Sequence, residues 1–483
     1  MHICLNFRNR AAAGQLYKCL QGSLIRGPLF CIIILSIFIT SLDTYKFSYY
    51  NIIKTINLYG KERRGMDIPA DISKAFNNIS DSNTYIYGKA VREILMHNSP
   101  KRCRFVTPLP ISVIKRIFPG SNIRGKYRSN VHGCEFVFIS TLSDISDICS
   151  AQDFTVNSAA YSDITGLYDK YGAENDIKEK KIKFLNNNDS CIYENPLIML
   201  KAVRMCAELE FTLDTLTENI IRRNAARIKG EHPHKIAGEL DRILMTQHPE
   251  YIKMLHELGI LKYVIPQLER CFGEPQKNKY HIYDVGDHII HAVMNTPRDY
   301  TLRWAALLHD VGKPCCSSTD NNGIIHFYGH HHESRLIADD ILHRFGMDKD
   351  LMHEILILIE NHDVRVDPTP TAVKKMMCRT GGELFEKLMI LQMADNMAKN
   401  PKYFPEKYRR INTAVKISKT ILENKEPYCY SQLMVNSRDL QKYGIRTGRE
   451  TNEIMRTLMD DVINNPSLNT REYLLKRAKQ LKK

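Results

Sequence analysis

Residues 302–314 read LRWAALLHDVGKP, an apolar run that closes on His309 and Asp310 and is cut at once by a glycine and a proline. The apolar periodicity and the breaker together predict a buried helix with the His-Asp pair at its C-terminal end. Working outward, His288 lies upstream in the amphipathic stretch DVGDHIIHAV (284–293). Downstream, His330 follows in HFYGHHHES (326–334), His362 in LIENHD (358–363) and Asp395 in LMILQMAD (388–395). Each is a hard or borderline metal ligand on or beside an apolar element. A carboxylate buried on such a helix is costly unless a cation or strong donors meet it, so several of these residues in one helical region predict a shared ion. His326, His331, His332 and His343 read as solvated side chains.

Helical periodicity extends on both sides of this region. It is carried by LIMLKAVRMCAEL (197–209), HKIAGELDRILM (234–245), IKMLHELGILKYV (252–264), LIADDILHRFG (336–346) and ELFEKLMILQMADNMA (383–398). Before residue 195 the pattern differs. TYIYG (84–88) reads as a strand ending in a glycine turn, AVREILM (90–96) as the helix that follows, and FVFIS (136–140) and FTVNSAAYS (154–162) as further β-prone runs. The expected fold class is α+β, a small N-terminal α/β domain around a mixed sheet followed by an all-helical body. The expected divisions are an extension over 1–65, the α/β domain over 66–190, a helical neck over 191–275, a metal-binding helical domain over 276–400 and a helical tail over 401–483.

The 483 residues are too many for one core and are 43% hydrophobic and 25% charged, the balance of an ordinary globular protein rather than a disordered chain or a polytopic membrane protein. Net charge is +14, and half of it lies in residues 1–65, which hold nine Lys/Arg against two acids. The remaining excess suits a surface that meets polyanions. The apolar run LFCIIILSIFITSL (29–42) follows Arg8, Arg10, Lys18 and Arg26, and falls short of the roughly 20 residues a membrane span needs. KERRG (61–65) can be encoded by a purine-rich ribosome-binding sequence, which favours Met66 as the initiator and a cytoplasmic protein without stable membrane association. The alternative is a genuine membrane-directed extension. Thirteen cysteines without a spaced framework, Cys315 and Cys316 being adjacent, read as reduced thiols.

The order His, His-Asp, His, His, Asp resembles the HD superfamily of metal-dependent phosphohydrolases, with every signature position filled. The resemblance implies that His288, His309, Asp310 and Asp395 hold one divalent metal and that His330 and His362 complete a second site. Imidazole and carboxylate ligands accept Mg, Mn, Ni, Fe or Co. Asp310 is then a catalytic residue as well as a ligand. Lys313, three residues on, is a second candidate for catalysis because it can steady a substrate phosphate; the alternative is a solvated loop lysine.

Over 66–483 the chain is also similar to class II CCA-adding tRNA nucleotidyltransferases and the related poly(A) polymerases. Their opening motif is a GG turn with V-R-D, then a D-x-D pair and Thr on the next strand. Gly88, Val91, Arg92, Pro100, Lys101 and Thr107 keep that frame. Lys89 stands for the second glycine, Glu93 for the first aspartate, and Arg102 and Arg104 for the D-x-D pair. Two-metal nucleotidyl transfer needs carboxylates to hold its cations, so this exchange turns a cation site into one that repels cations. Glu135 matches the third carboxylate and cannot build the site alone. The family's R-R-D-F-T-I-N appears as AQDFTVN (151–157), keeping Asp153 and Asn157 but neither arginine. Its E-D-x-x-R appears as ENPLI (194–198), where Ile198 cannot donate to a base and Pro196 disturbs a helix unless it sits in the first turn.

These readings predict a metal-dependent hydrolase of a phosphomonoester or 2′,3′-cyclic phosphate on a nucleotidyltransferase-like scaffold whose polymerase centre is degenerate. Its partners would be a phosphoester or nucleotide substrate and tRNA or another RNA. The rival readings are an RNA-binding pseudoenzyme, in which Lys89, Lys101, Arg102 and Arg104 bind phosphate, and a working CCA tRNA nucleotidyltransferase or poly(A) polymerase.

Overall fold

In the computed structural model the described residues are 66–482, apart from 80, 82, 124, 125, 446 and 447. The apolar run at 29–42 lies outside them. Two strand-helix units open this part of the chain. After α1 (Ala70–Ile79), β1 (Tyr85–Tyr87) turns at Gly88 into α2 (Lys89–Leu95), and β2 (Arg102–Thr107) is followed by α3 (Ile111–Ile117). Gly88 has φ of +73°, and its N–H donates to the Ala159 carbonyl at 3.0 Å, so the turn itself favours glycine. Strands β3 (Ser121–Ile123), β4 (Lys126–Val131), β5 (Cys134–Ser140), β6 (Ala160–Ser162) and β7 (Gly166–Tyr168) complete a sheet of order β3-β4-β5-β2-β1-β6-β7. Only β2 and β5 pair in parallel, so the sheet is mixed as expected. Along β2, Cys103 and Phe105 turn into an aromatic core with Phe136, Phe138 and Phe118, while Arg102 and Arg104 face outward and are exposed.

The stretch 154–162 departs from the strand expected of it. Thr155–Asn157 form a turn of 3-10 helix and only Ala160–Ser162 pair in the sheet. Buried Arg92 explains the departure, because its guanidinium donates to Asn157 Oδ1 at 2.6 Å and holds Asn157 against α2, a tertiary contact that outweighs the local β tendency.

The helical body has a continuous core that runs from Phe154 to Ile421. Its helices include α4 (Ile198–Leu209), α5 (Thr215–Asn224), α6 (Pro233–Leu244), α7 (Val285–Met294), α8 (Tyr300–Leu308), α9 (His330–Phe345), α10 (Lys349–Asn361), α11 (Pro370–Thr380), α12 (Gly382–Met397) and α13 (Phe404–Glu423). Pro196 stands just ahead of α4 and accepts the Met199 N–H at 3.2 Å, so it starts the helix rather than breaking it. The run 252–264 is two short helices, Ile252–Glu257 and Leu261–Val264, parted at Gly259, whose φ is +70°. The body is also not purely helical. A parallel pair, Lys181–Ile182 with Thr212–Leu213, and an antiparallel hairpin, β8 (Ser317–Thr319) with β9 (Ile325–Phe327), interrupt it. A separate apolar cluster from Leu433 to Ala478 packs the C-terminal helices. Among the described residues no helix is long and apolar enough to cross a membrane, and all ten cysteines are free.

Candidate metal centre

All six sequence-predicted ligands come together. His288 lies in α7, His309 caps the C-terminus of α8 with Asp310 next to it, His330 opens α9, His362 caps α10, and Asp395 lies in α12. Helix α12 opens on exposed Glu383 and Glu386 and then buries Leu388, Met389, Leu391 and Ala394, so its C-terminal half carries Asp395 into the interior. His288 and His309 are 0% exposed, Asp310 1% and Asp395 4%. Two glycines let the elements approach. A Cβ on Gly286 would come within 2.6 Å of the Phe272 ring, and one on Gly312 within 2.5 Å of the Ser334 backbone nitrogen. Gly312 therefore allows the turn after Asp310 to rest on the first turns of α9, where its N–H donates to Ser334 Oγ at 2.9 Å.

Hydrogen bonding fixes how the imidazoles present themselves. Nδ1 of His288, His309, His330 and His362 lies 3.2, 2.7, 2.8 and 2.7 Å from the carbonyls of Ala398, Ala306, Phe327 and Ile359. A carbonyl only accepts, so each Nδ1 carries a hydrogen and Nε2 is the ring atom turned toward the carboxylates and available to a metal. Those Nε2 atoms converge. His288 Nε2 is 3.2 Å from Asp310 Oδ2 and 3.0 Å from Asp395 Oδ1, and His309 Nε2 is 3.1 and 3.7 Å from the same two atoms. On the other side of Asp310, Oδ1 lies 3.3 Å from His330 Nε2 and 3.5 Å from His362 Nε2. Two ligand groups result, with Asp310 shared between them. Ligands bound at about 2.1 Å stand roughly 3.0 to 3.4 Å from one another around a tetrahedral or octahedral ion; four of these six separations fall in that range, and His309–Asp395 at 3.7 Å and His362–Asp310 at 3.5 Å lie just beyond it.

The donor set fits a divalent cation. Both oxygens of Asp310 and Oδ1 of Asp395 are buried and accept no well-directed hydrogen bond, although Lys313 Nζ lies 2.6 Å from Asp310 Oδ2. Burial alone would raise these carboxyls, but His309 and Lys313 beside Asp310, and Lys399 beside Asp395, hold both well below the usual carboxylate range. Burial likewise opposes charge on His309, yet Asp310 and Asp395 outweigh it and bring that imidazole up to about 9. His362, also buried, is pushed down. The field at the centre thus favours positive charge strongly.

A cavity of about 220 Å³ opens on Asp310, His330 and His362. Lys313 lines it and is buried, donating to Gln276 Oε1 at 2.8 Å, so it is not a solvated loop lysine. Lys399 and His281 also line it and were not singled out in the sequence. Lys399 Nζ donates to Asp395 Oδ2 at 2.6 Å, one helical turn on, a spacing that an i,i+4 search from Asp395 would have met. Burial and the nearby Lys313 and Lys399 charges push His281 down to about 2, so it stays neutral. His326 is half-buried, pairs with Asp320 Oδ2 at 2.9 Å and lines the cavity, a correction to its reading as solvated. His332 and His343 are exposed, and His331 is half-buried on the surface of α9.

The nucleotidyltransferase-like positions assemble differently. Arg102 pairs with Glu135 Oε2 and Arg128 with Glu135 Oε1, each at 2.9 Å, so this acid already meets two guanidinium groups. Lys89 lies 3.3 Å from Glu93, and Asp153 accepts from Lys201 at 2.9 Å. Asn157 is engaged by Arg92, and Arg104 stands exposed one residue beyond Cys103.

Fold and centre define a helical protein with an HD domain behind a nucleotidyltransferase-like sheet. The HD domain family matches residues 280–400, and a family described as the probable RNA and SrmB-binding site of polymerase A matches 210–272. The A-adding tRNA nucleotidyltransferase of Deinococcus radiodurans is 29% identical over 293 residues, which are 58% of this chain and 67% of that protein. The multifunctional CCA protein of Acinetobacter baumannii is 29% identical over 192 residues, 38% of this chain and 46% of its own, so the chain spans about half that relative's length. Among solved structures, the Bacillus stearothermophilus CCA-adding enzyme in complex with CTP aligns with a TM-score of 0.61 at 17% identity, over 86% of this chain and 99% of that one. The Thermotoga maritima CCA-adding enzyme complexed with tRNA gives 0.52 at 15%, over 86% and 96%. The chain thus carries a region matching the HD domain family and is similar to A-adding and CCA-adding tRNA nucleotidyltransferases in sequence and fold.

Proposed function

We propose that the protein is a divalent-metal phosphohydrolase acting on a phosphomonoester or a 2′,3′-cyclic phosphate, and that its nucleotidyltransferase centre is inactive. The observation that carries the first half is the convergence of four imidazoles and two buried carboxylates into two adjoining groups that share Asp310, one of them opening on the cavity. A bound divalent cation lowers the pKa of water to near neutrality and offsets charge on the attacked phosphate. The chain's own residues do the rest. His288, His309, Asp310 and Asp395 would hold one ion, and Asp310, His330 and His362 the other. Lys313 and Lys399 hold the carboxylates ionised from outside, and each keeps its ammonium on the cavity wall where a substrate phosphate enters. His281, pushed down to about 2, lines the same cavity as a neutral group and is not a proton donor there.

For the second half the supporting observation is Glu135, whose two oxygens are each taken by an arginine. Two guanidinium charges at these oxygens compete with the cations that nucleotidyl transfer needs. The purified protein should hydrolyse bis(p-nitrophenyl) phosphate or a 2′,3′-cyclic nucleotide with Mn²⁺, Ni²⁺ or Mg²⁺, and should add no labelled CTP or ATP to tRNA. Addition of either nucleotide at the rate of an active CCA-adding enzyme would overturn the inactive-centre reading.

A further inference from the structure

The rim of the HD cavity carries chemistry that the ligand set does not need. Tyr328, just past β9, lines the cavity and is 75% exposed, and its ring stacks on His326 with planes 8° apart. A second aromatic pair lies between the lining residues Asn278 and His281, where Tyr280, 41% exposed, meets Tyr403 edge-on at 4.8 Å between centroids. Lys279 Nζ sits 5.2 Å and Lys407 Nζ 5.5 Å from the Tyr280 ring centre, and Lys402 lies 6.0 Å from that of Tyr403. None of these three lysines forms an ion pair with a carboxylate among the described residues.

A structural role does not account for this arrangement. The loop is already tied to the start of α13 by Asn400, whose backbone N–H donates to the Tyr280 carbonyl at 2.8 Å and whose amide donates to that of Lys279 at 2.9 Å. A clamp made of aromatic rings would bury them, whereas Tyr280 and Tyr328 leave theirs in water. A small phosphoester needs only the centre and its two flanking lysines. Partly exposed rings, with ammonium groups beside them that no carboxylate neutralises, match a ligand that carries both bases and phosphates, as a single nucleic-acid strand does.

We propose that this rim binds a single-stranded polynucleotide and leads its terminal phosphoester into the cavity, so that the preferred substrate is a strand end rather than a free nucleotide. This rests on the hydrolase reading above. At the strand end a water oxygen bonds to phosphorus, one ester P–O bond breaks, and the departing ribose oxygen takes up a proton, which turns a cyclic phosphate into a monoester.

The test compares kcat/KM of the full chain with Mn²⁺ on an RNA hexamer ending in a 2′,3′-cyclic phosphate and on the cyclic mononucleotide. The hexamer should be favoured by about tenfold or more, the worth of a base stacked on an aromatic ring. Tyr280→Ala should cost the hexamer about tenfold more than it costs the mononucleotide, whereas Tyr280→Phe keeps the preference. Equal kcat/KM for the two substrates, or a preference that Tyr280→Ala leaves intact, would overturn the proposal. Should neither substrate be turned over, the hydrolase reading fails by itself. Fluorescence anisotropy of a labelled hexamer then decides the rim, with binding lost in Tyr280→Ala supporting it and absence of binding in the unaltered protein refuting it.

Discussion

The sheet domain and the HD region each hold acid at a place where a cation would do chemistry, one glutamate on the sheet and two aspartates among the helices, and they treat it in opposite ways. On the sheet, Glu135 meets Arg102 and Arg128 at 2.9 Å each and both its oxygens are spent. In the HD region, Asp310 and Asp395 face imidazoles, and three of their four oxygens accept no directed hydrogen bond. Burial sharpens the contrast. Glu135 is about one-third exposed, so its arginines stabilise it weakly, whereas Asp310 and Asp395 lie where an unmet charge costs several kcal/mol. Besides the number of acids, what separates the two places is which groups meet them: guanidinium groups on the sheet, imidazoles in the helical body.

The largest effect expected of any single change falls on the shared carboxylate. Asp310→Ala should reduce phosphoester hydrolysis by about 10³-fold or more, because it removes a ligand from both groups, and the loss should appear in kcat. Full activity in that protein would remove the cavity from the comparison. His362→Ala touches one group only, so metal analysis should find one ion lost and the other kept. Activity should fall by about 10²-fold.

Metal affinity should depend on pH with a defined sign. In the metal-free protein the Asp310 and Asp395 carboxylates override burial and hold His309 up to about 9, so below that pH a proton competes for Nε2. Apparent affinity should rise about tenfold per pH unit from 7 to 9 and level off above, as one proton is displaced per ion bound. Titration calorimetry at several pH values would measure it, and a flat profile would mean that the imidazole is neutral throughout.

The six residues that converge were legible as candidates because each sits at a helix end or on an apolar face, where a polar residue stands out, and because their order resembles that of HD phosphohydrolases. What surrounds them was less so. Gln276 and His281 belong to a segment without regular structure, and only the fold brings them beside Lys313 and the cavity. The hairpin of β8 and β9 lies in a stretch read for its histidines, and strands of three residues leave little periodic signal. The α+β order of sheet before helices was legible from the change of period near residue 195. The 3-10 turn at 155–157 was not, since it depends on Arg92, a residue 65 positions earlier than Asn157.

Smaller effects refine the picture. Gly312→Ala should destabilise the protein by about 1–3 kcal/mol, read as a shift in the denaturant midpoint, because its Cβ would fall 2.5 Å from backbone in α9. Arg102→Ala should change stability by less than about 1 kcal/mol, as an exposed ion pair does, and should leave hydrolysis unaltered. A loss of hydrolysis there would couple two regions that share no ligand.

The central claim is that the cation belongs to the cavity and not to the sheet, and anomalous X-ray scattering from crystals grown with Mn²⁺ tests it most directly. Peaks are expected among His288, His309, Asp310 and Asp395 and between Asp310, His330 and His362. A peak on Glu135 with none in the cavity would contradict the account.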